Sequence, residues 1–166
     1  MKNLFFIGGT MGVGKTTISN ELKTKLDNCV YLDADNLWDA HPFIVNEETK
    51  SIVLNNIVYV LNNFINSKSY DNIIFSWVMD DKEIYSYIIN RIDLKKCNLY
   101  NISLVCDEET LINRIEKDIK INLRDKNAIE RSIDKISKYK ILDTIKIDTS
   151  NKKINNIVDE IINLKG

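Results

Sequence analysis

Residues 8–17 read GGTMGVGKTT, and this stretch decides the fold. Gly9, Gly14, Lys15 and Thr16 satisfy the spacing G-x-x-x-x-G-K-[ST]. In such a loop successive backbone N–H groups wrap an anionic phosphate, and glycine lets the backbone come close. The lysine brings a mobile positive charge, and the threonine hydroxyl is a ligand for Mg²⁺. The flanks suit this role. Leu4-Phe5-Phe6-Ile7 enters as a strand, and Thr17-Ile18-Ser19-Asn20-Glu21-Leu22 leaves with helical character. Strand, loop and helix in that order place a helix N-terminus against the bound anion.

Outward from the loop, apolar runs alternate with amphipathic stretches. Strands are expected at 3–8, 29–33, 73–78, 99–106 and 145–147. Helices are expected at 15–27, 46–66, about 80–94, from Asp107, around 129–136 and from 154. In the second helix Leu54, Ile57, Val58, Leu61, Phe64 and Ile65 recur on one face, with Asn46 as its cap. Asp80 with Glu83 resembles a capping box. Residues 120–127 are charged and polar, a loop or lid, and the lid region as a whole spans about 116–128. Alternating strands and helices call for an α/β fold with a parallel sheet covered on both faces.

The chain has 166 residues, 44% of them hydrophobic, and a net charge of −1. That fits one domain over 1–166 and offers nothing for bulk nucleic acid. Cys29, Cys97 and Cys106 lack metal-ligand spacing, and their scatter suits a reducing, cytoplasmic setting. The N-terminal apolar run is too short for a signal peptide, and no segment is long enough to span a membrane. Four of the five glycines lie in residues 8–14, the fifth being Gly166. A D-x-x-G switch and a glycine-rich transporter signature are therefore absent, and no N-K-x-D guanine-reading motif occurs.

Ligands of open parallel sheets bind beyond the carboxyl ends of the strands. Asp33 and Asp35 stand at one such end, suited to organising Mg²⁺ or to accepting a hydroxyl proton. The alternative is that Asp35 caps a turn and Asp33 faces solvent. Trp38, His41, Phe43 and Trp77 gather near the same ends, either walling an acceptor pocket or packing as core. Arg114, Arg124 and Arg131 bracket the lid. They either stabilise charge on a transferring group or form surface ion pairs, for instance Arg114 with Asp118.

The strand into GTMGVGKTT, the strand ending L-D-A-D and the arginine-bearing lid together resemble the small P-loop kinases. These include shikimate, gluconate and adenylylsulfate kinases, chloramphenicol phosphotransferase and bacterial kinase-like ATP-binding proteins of unassigned substrate. The resemblance implies a P-loop NTPase three-layer sandwich, a five-stranded sheet ordered 2-3-1-4-5, and Mg·ATP as donor. It also implies that Arg114 stacks on adenine, that Arg124 is the lid arginine, and that the loop with Thr149 and Ser150 touches the base. Two departures stand out. Ser76-Trp77-Val78-Met79 carries no acid where a Walker-B aspartate would be, and the shikimate-binding arginine and glycine pattern is missing.

The expectation is a phosphotransferase moving the γ-phosphoryl group of ATP to a hydroxyl of a small molecule such as a nucleoside, sugar or antibiotic. Gly9, Thr10, Met11, Gly12, Val13, Gly14, Lys15, Thr16 and Thr17 would hold the phosphates. Thr16 and Asp33 would hold Mg²⁺, and Asp35 would act on the acceptor hydroxyl. Lys15 and Arg124 would stabilise the transferring group, with Trp38, Phe43 and Trp77 around the acceptor. The other readings are an ATP-binding regulatory protein without phosphotransfer and a nucleotide or toxin-like kinase.

Overall fold

The computed structural model describes residues 1–125 and 127–166. Its strands are β1 (Lys2–Gly8), β2 (Cys29–Asp33), β3 (Asn72–Ser76), β4 (Cys97–Val105) and β5 (Ile145–Asp148). They form one parallel sheet in the order β2-β3-β1-β4-β5. β1 lies in the centre, which is why it reads as an unbroken apolar run: Leu4, Phe5, Phe6 and Ile7 are all fully buried. A strand alternates its side chains between faces, so a central strand covered on both sides needs apolar residues at every position.

The two faces have separate cores. Phe5, Ile7, Ile74, Ile102 and Leu104 point to one. It is closed by α1 (Lys15–Lys25), α4 (Glu108–Lys120), α5 (Ala128–Ile141) and α6 (Ile154–Ile162). Leu4, Phe6, Ile73 and Phe75 point to the other, closed by α2 (Glu47–Asn66) and α3 (Lys82–Ile89). α2 starts as its sequence demands. Asn46 Oδ1 accepts from Thr49 N at 2.8 Å while Thr49 Oγ1 accepts from Asn46 N at 3.0 Å, satisfying two amides that the first turn leaves free.

Three expected details are corrected. β3 stops at Ser76, not Val78. The cap of α3 is Asp81, which accepts from Glu83 N at 2.8 Å, whereas Asp80 turns to the far side and pairs with Lys135 and Lys138. α3 also ends at Ile89, well short of residue 94. Asn62 of α2 explains this last point. Its amide donates to Arg91 O and its carbonyl accepts from Asp93 N, drawing the backbone out of helical bonding. In the lid region, 116–120 continues α4 and Ala128 opens α5; Lys126 lies outside the described residues.

Register aligns the strand tips. Ile7 and Asp33 both pair with Ser76, and Val105 pairs with Asp148. The loops that leave these tips therefore meet at one edge. Among the described residues no helix is long and apolar enough to cross a membrane.

Candidate active site

The loop between β1 and α1 needs its glycines for two distinct reasons. Gly12 has φ +83°, and a Cβ there would sit 2.6 Å from Ile115 Cγ1 on α4. Gly14, with φ +108°, is the residue that admits the chain into α1. L side chains rarely adopt such positive angles. Thr10 anchors the loop from behind, its hydroxyl donating to Ser132 O at 3.1 Å on α5. Lys15 Nζ folds across the front and donates to Gly9 O and Thr10 O at 2.9 and 3.1 Å. Burial lowers its pKa to about 8, opposed by the charges of Asp35 and Asp33. A phosphate laid on the loop would favour the cationic form further, because a nearby negative charge stabilises it.

Asp33, at the tip of β2, is the hub of the neighbouring polar cluster. Its Oδ2 accepts from Thr16 Oγ1 at 3.0 Å and from Tyr31 Oη at 2.9 Å. Its Oδ1 accepts from Asp35 N at 3.2 Å and so caps the 3₁₀ turn Ala34–Trp38. Capping and a site position are thus not alternatives: Asp33, rather than Asp35, is the cap. Asp35 lines the cleft. Its carboxyl is pushed up by partial withdrawal from water and then by the charge of Asp33, while Lys15, Trp77 and Arg124 pull it back. Burial pushes the Tyr31 phenol up to about 12.

Thr16 and Asp33 supply one hydroxyl and one carboxylate oxygen side by side. That donor set suits Mg²⁺, which keeps several waters and takes one or two carboxylates together with substrate phosphates. Among the described residues no group of three or more His, Cys, Asp or Glu could hold an ion by itself.

The three arginines separate. Arg114 of α4 donates to Val13 O at 3.0 Å, to Thr149 Oγ1 at 3.0 Å and to Thr149 O at 2.8 Å. It ties the phosphate loop to the loop after β5, and no pairing with Asp118 is formed. Asp118 instead accepts from Arg124 Nε at 2.7 Å, which holds Arg124 at the cleft wall. Arg131 pairs with Asp125 on the surface and does not line the cleft. Thr149 is fully buried and lines the cleft, while Ser150 Oγ accepts from Asp107 N at 2.8 Å.

These groups enclose a cleft of about 490 Å³. Met11, Gly12, Val13, Gly14, Lys15, Thr16 and Thr17 form one wall, and Asp35, Arg114, Arg124 and Thr149 rise around it. Gly9 and Thr10 lie behind the wall as its support. Val78, Asp118, Lys152, Ile154 and Ile157 also line the cleft and carry no motif that marks them in sequence. Trp38, Phe43 and Trp77 do not line this cleft, although Trp77 reaches Asp35 in its wall. Trp77 is 9% exposed and belongs to the core under α2 and α3. Trp38 packs on that core with its ring 5.5 Å from Phe43, which is itself exposed. His41, also exposed, precedes Pro42 in a cis peptide.

The chain belongs to the AAA domain family, whose model matches residues 6–135. Among curated proteins none matches it. Solved structures similar to it include the gluconokinase of Sinorhizobium meliloti 1021, at 13% identity and a TM-score of 0.69, covering 95% of this chain and 88% of the other. The tunicamycin resistance protein of Deinococcus radiodurans has 14% identity and a TM-score of 0.70, with coverage of 100% and 96%. Shikimate kinase from Acinetobacter baumannii, solved with shikimate, has 18% identity and a TM-score of 0.66, with coverage of 99% and 93%. At these identities the likeness is one of fold, and the fold is that of the small P-loop kinases.

Proposed function

We propose that this protein transfers the γ-phosphoryl group of ATP to a hydroxyl of a small molecule. The observation that carries the reading is that Lys15, Thr16, Asp35 and Arg124 line one cleft together with Arg114 and Thr149, with Asp33 bonded to Thr16 beside it.

In this reading the amides of residues 12–16 and the Lys15 ammonium cradle the β- and γ-phosphates. Thr16 and Asp33 would hold Mg²⁺, which supplies neutralisation of the phosphate charge. Asp35 takes the proton of the acceptor hydroxyl. Its raised affinity for a proton, in the cleft wall, suits it to that step. The acceptor oxygen forms its bond to the γ-phosphorus as the bond to the β–γ bridging oxygen breaks, and ADP leaves. Arg124 faces the charge that spreads over the transferring oxygens. Arg114 and Thr149 hold the wall against which the base lies.

The test is ADP release with Mg·ATP across a panel of sugars, nucleosides, sugar acids and antibiotics. An acceptor that raises ADP release at least tenfold over the protein alone, and is recovered phosphorylated, supports the reading. Tight ATP binding with no acceptor-stimulated turnover anywhere in the panel would favour an ATP-binding regulatory protein instead.

A further inference from the structure

Asp33 shares one face of β2 with the residue two positions before it, since side chains alternate along a strand. That residue is Tyr31. Its hydroxyl donates to Asp33 Oδ2 at 2.9 Å and lies 2.7 Å from Ser76 Oγ at the tip of β3. A phenol has one proton. With that proton given to the carboxylate, the Ser76 hydroxyl must donate to the phenol oxygen. Ser76 is 1% exposed. The hydroxyl of Ser19 on α1, fully buried and without a hydrogen-bond partner, faces the same phenol. Groups from α1 and β3 thus gather at the Tyr31 phenol of β2, which in turn bonds to one carboxylate oxygen.

The same oxygen also accepts from Thr16. Ligating a metal uses a lone pair of the Thr16 oxygen and leaves its proton on Asp33. The bonds from Thr16 and Tyr31 and the long bond from Asp35 N together restrain the Asp33 carboxylate, and of these donors Tyr31 is the one held by a buried hydroxyl. A carboxylate turns freely about its last torsion, so a fixed donor decides which way its lone pairs point. Groups that orient a metal-binding carboxylate matter nearly as much as the carboxylate itself. We propose that Tyr31, braced by Ser76, is a positioning residue that aims the Asp33 carboxylate at the metal of the nucleotide complex, in place of an acid at the tip of β3. This rests on the phosphoryl-transfer reading given above.

The test is Mg²⁺ titration of binding of a fluorescent, non-hydrolysable ATP analogue. Tyr31→Phe keeps the ring and removes only the oxygen. The Mg²⁺ concentration at half-maximal binding should rise about tenfold, with analogue affinity in EDTA unchanged. Ser76→Ala should move the midpoint the same way, by about threefold, because it loosens the brace and leaves the Tyr31 bond. A purely structural Tyr31 would lower Tm and leave the midpoint where it is. An unmoved midpoint in Tyr31→Phe overturns the proposal whatever happens to Tm. If Tyr31→Phe does not fold, an unmoved midpoint in Ser76→Ala overturns it. A wild type that binds the analogue no better with Mg²⁺ than in EDTA removes the metal role of Thr16 and Asp33, and this inference with it. A Mg²⁺-dependent wild type with unmoved variants removes this inference alone.

Discussion

The phosphate loop and the segment from Trp38 to Val45 border the same sheet edge and are built in opposite ways. In the first, Thr10, Lys15 and Arg114 are each tied to backbone carbonyls, and the tying partners come from α5, the loop itself and the loop after β5. In the second, Phe43, Ile44 and Val45 are 62%, 51% and 54% exposed, and the Phe43 ring leans on Trp38. One region is finished before any ligand arrives. The other leaves apolar surface in water, and the acceptor wall proposed there would be completed only by its ligand. The difference teaches that the donor and acceptor halves of the proposed reaction should fail separately.

The largest separation should come from Lys15→Ala. Removing the only ammonium on the loop should cut turnover about 10³-fold, the scale of losing one strong stabiliser of developing charge. Tm should stay within a few degrees, read by calorimetry beside the assay. Unchanged turnover would break the donor assignment. Asp35→Asn comes next, with a fall of about 10²-fold in kcat and ATP affinity within threefold of wild type. Equal losses in both would move Asp35 from the acceptor to the donor half.

Gly12→Ala tests how rigidly the donor half is built. Its Cβ meets Ile115 in a backbone conformation that L residues avoid, so both Tm and nucleotide affinity should drop, the latter about tenfold. A variant as stable and as tight as wild type would show the loop to be adaptable. Asp107 is a smaller lever. Its carboxylate accepts from Thr110 N, which lowers its pKa. A folded pKa below the unfolded value means stability that is present above the unfolded value and lost as pH falls through the folded one. Asp107→Ala should therefore lower Tm at neutral pH, with the gap to wild type closing under acid. The smallest effect should be Phe43→Ser, which leaves Tm and ATP binding unchanged and alters only KM for the acceptor. A loss of ATP affinity there would join the two regions that the structure separates.

The donor half is legible in sequence because its chemistry is local. Gly9 to Thr17 supply a turn, an anion nest and a helix start within ten consecutive residues, and the alternation of apolar runs carries the parallel sheet around it. The proposed acceptor half is less legible because the residues expected there are defined by what they pack on. Trp77 reads equally well as a wall or as core until α2 and α3 are laid over it. The end of α3 depends on Asn62, a residue from another helix. Asp80 and Asp81 offer the same cap chemistry, and α5 decides between them by drawing Asp80 to Lys135 and Lys138.

By itself the sequence determined the order of elements, the phosphate loop and the carboxylates at the β2 tip, since each follows from periodicity or from spacing along a few residues. Tertiary structure alone decided that Arg114 clamps Thr149, that Arg131 stays outside the cleft, and that Ser76 meets the phenol that Tyr31 gives to Asp33. These are contacts between groups far apart in the chain. Such contacts are set by how packed elements bring their side chains together, and local patterning carries no record of that distance.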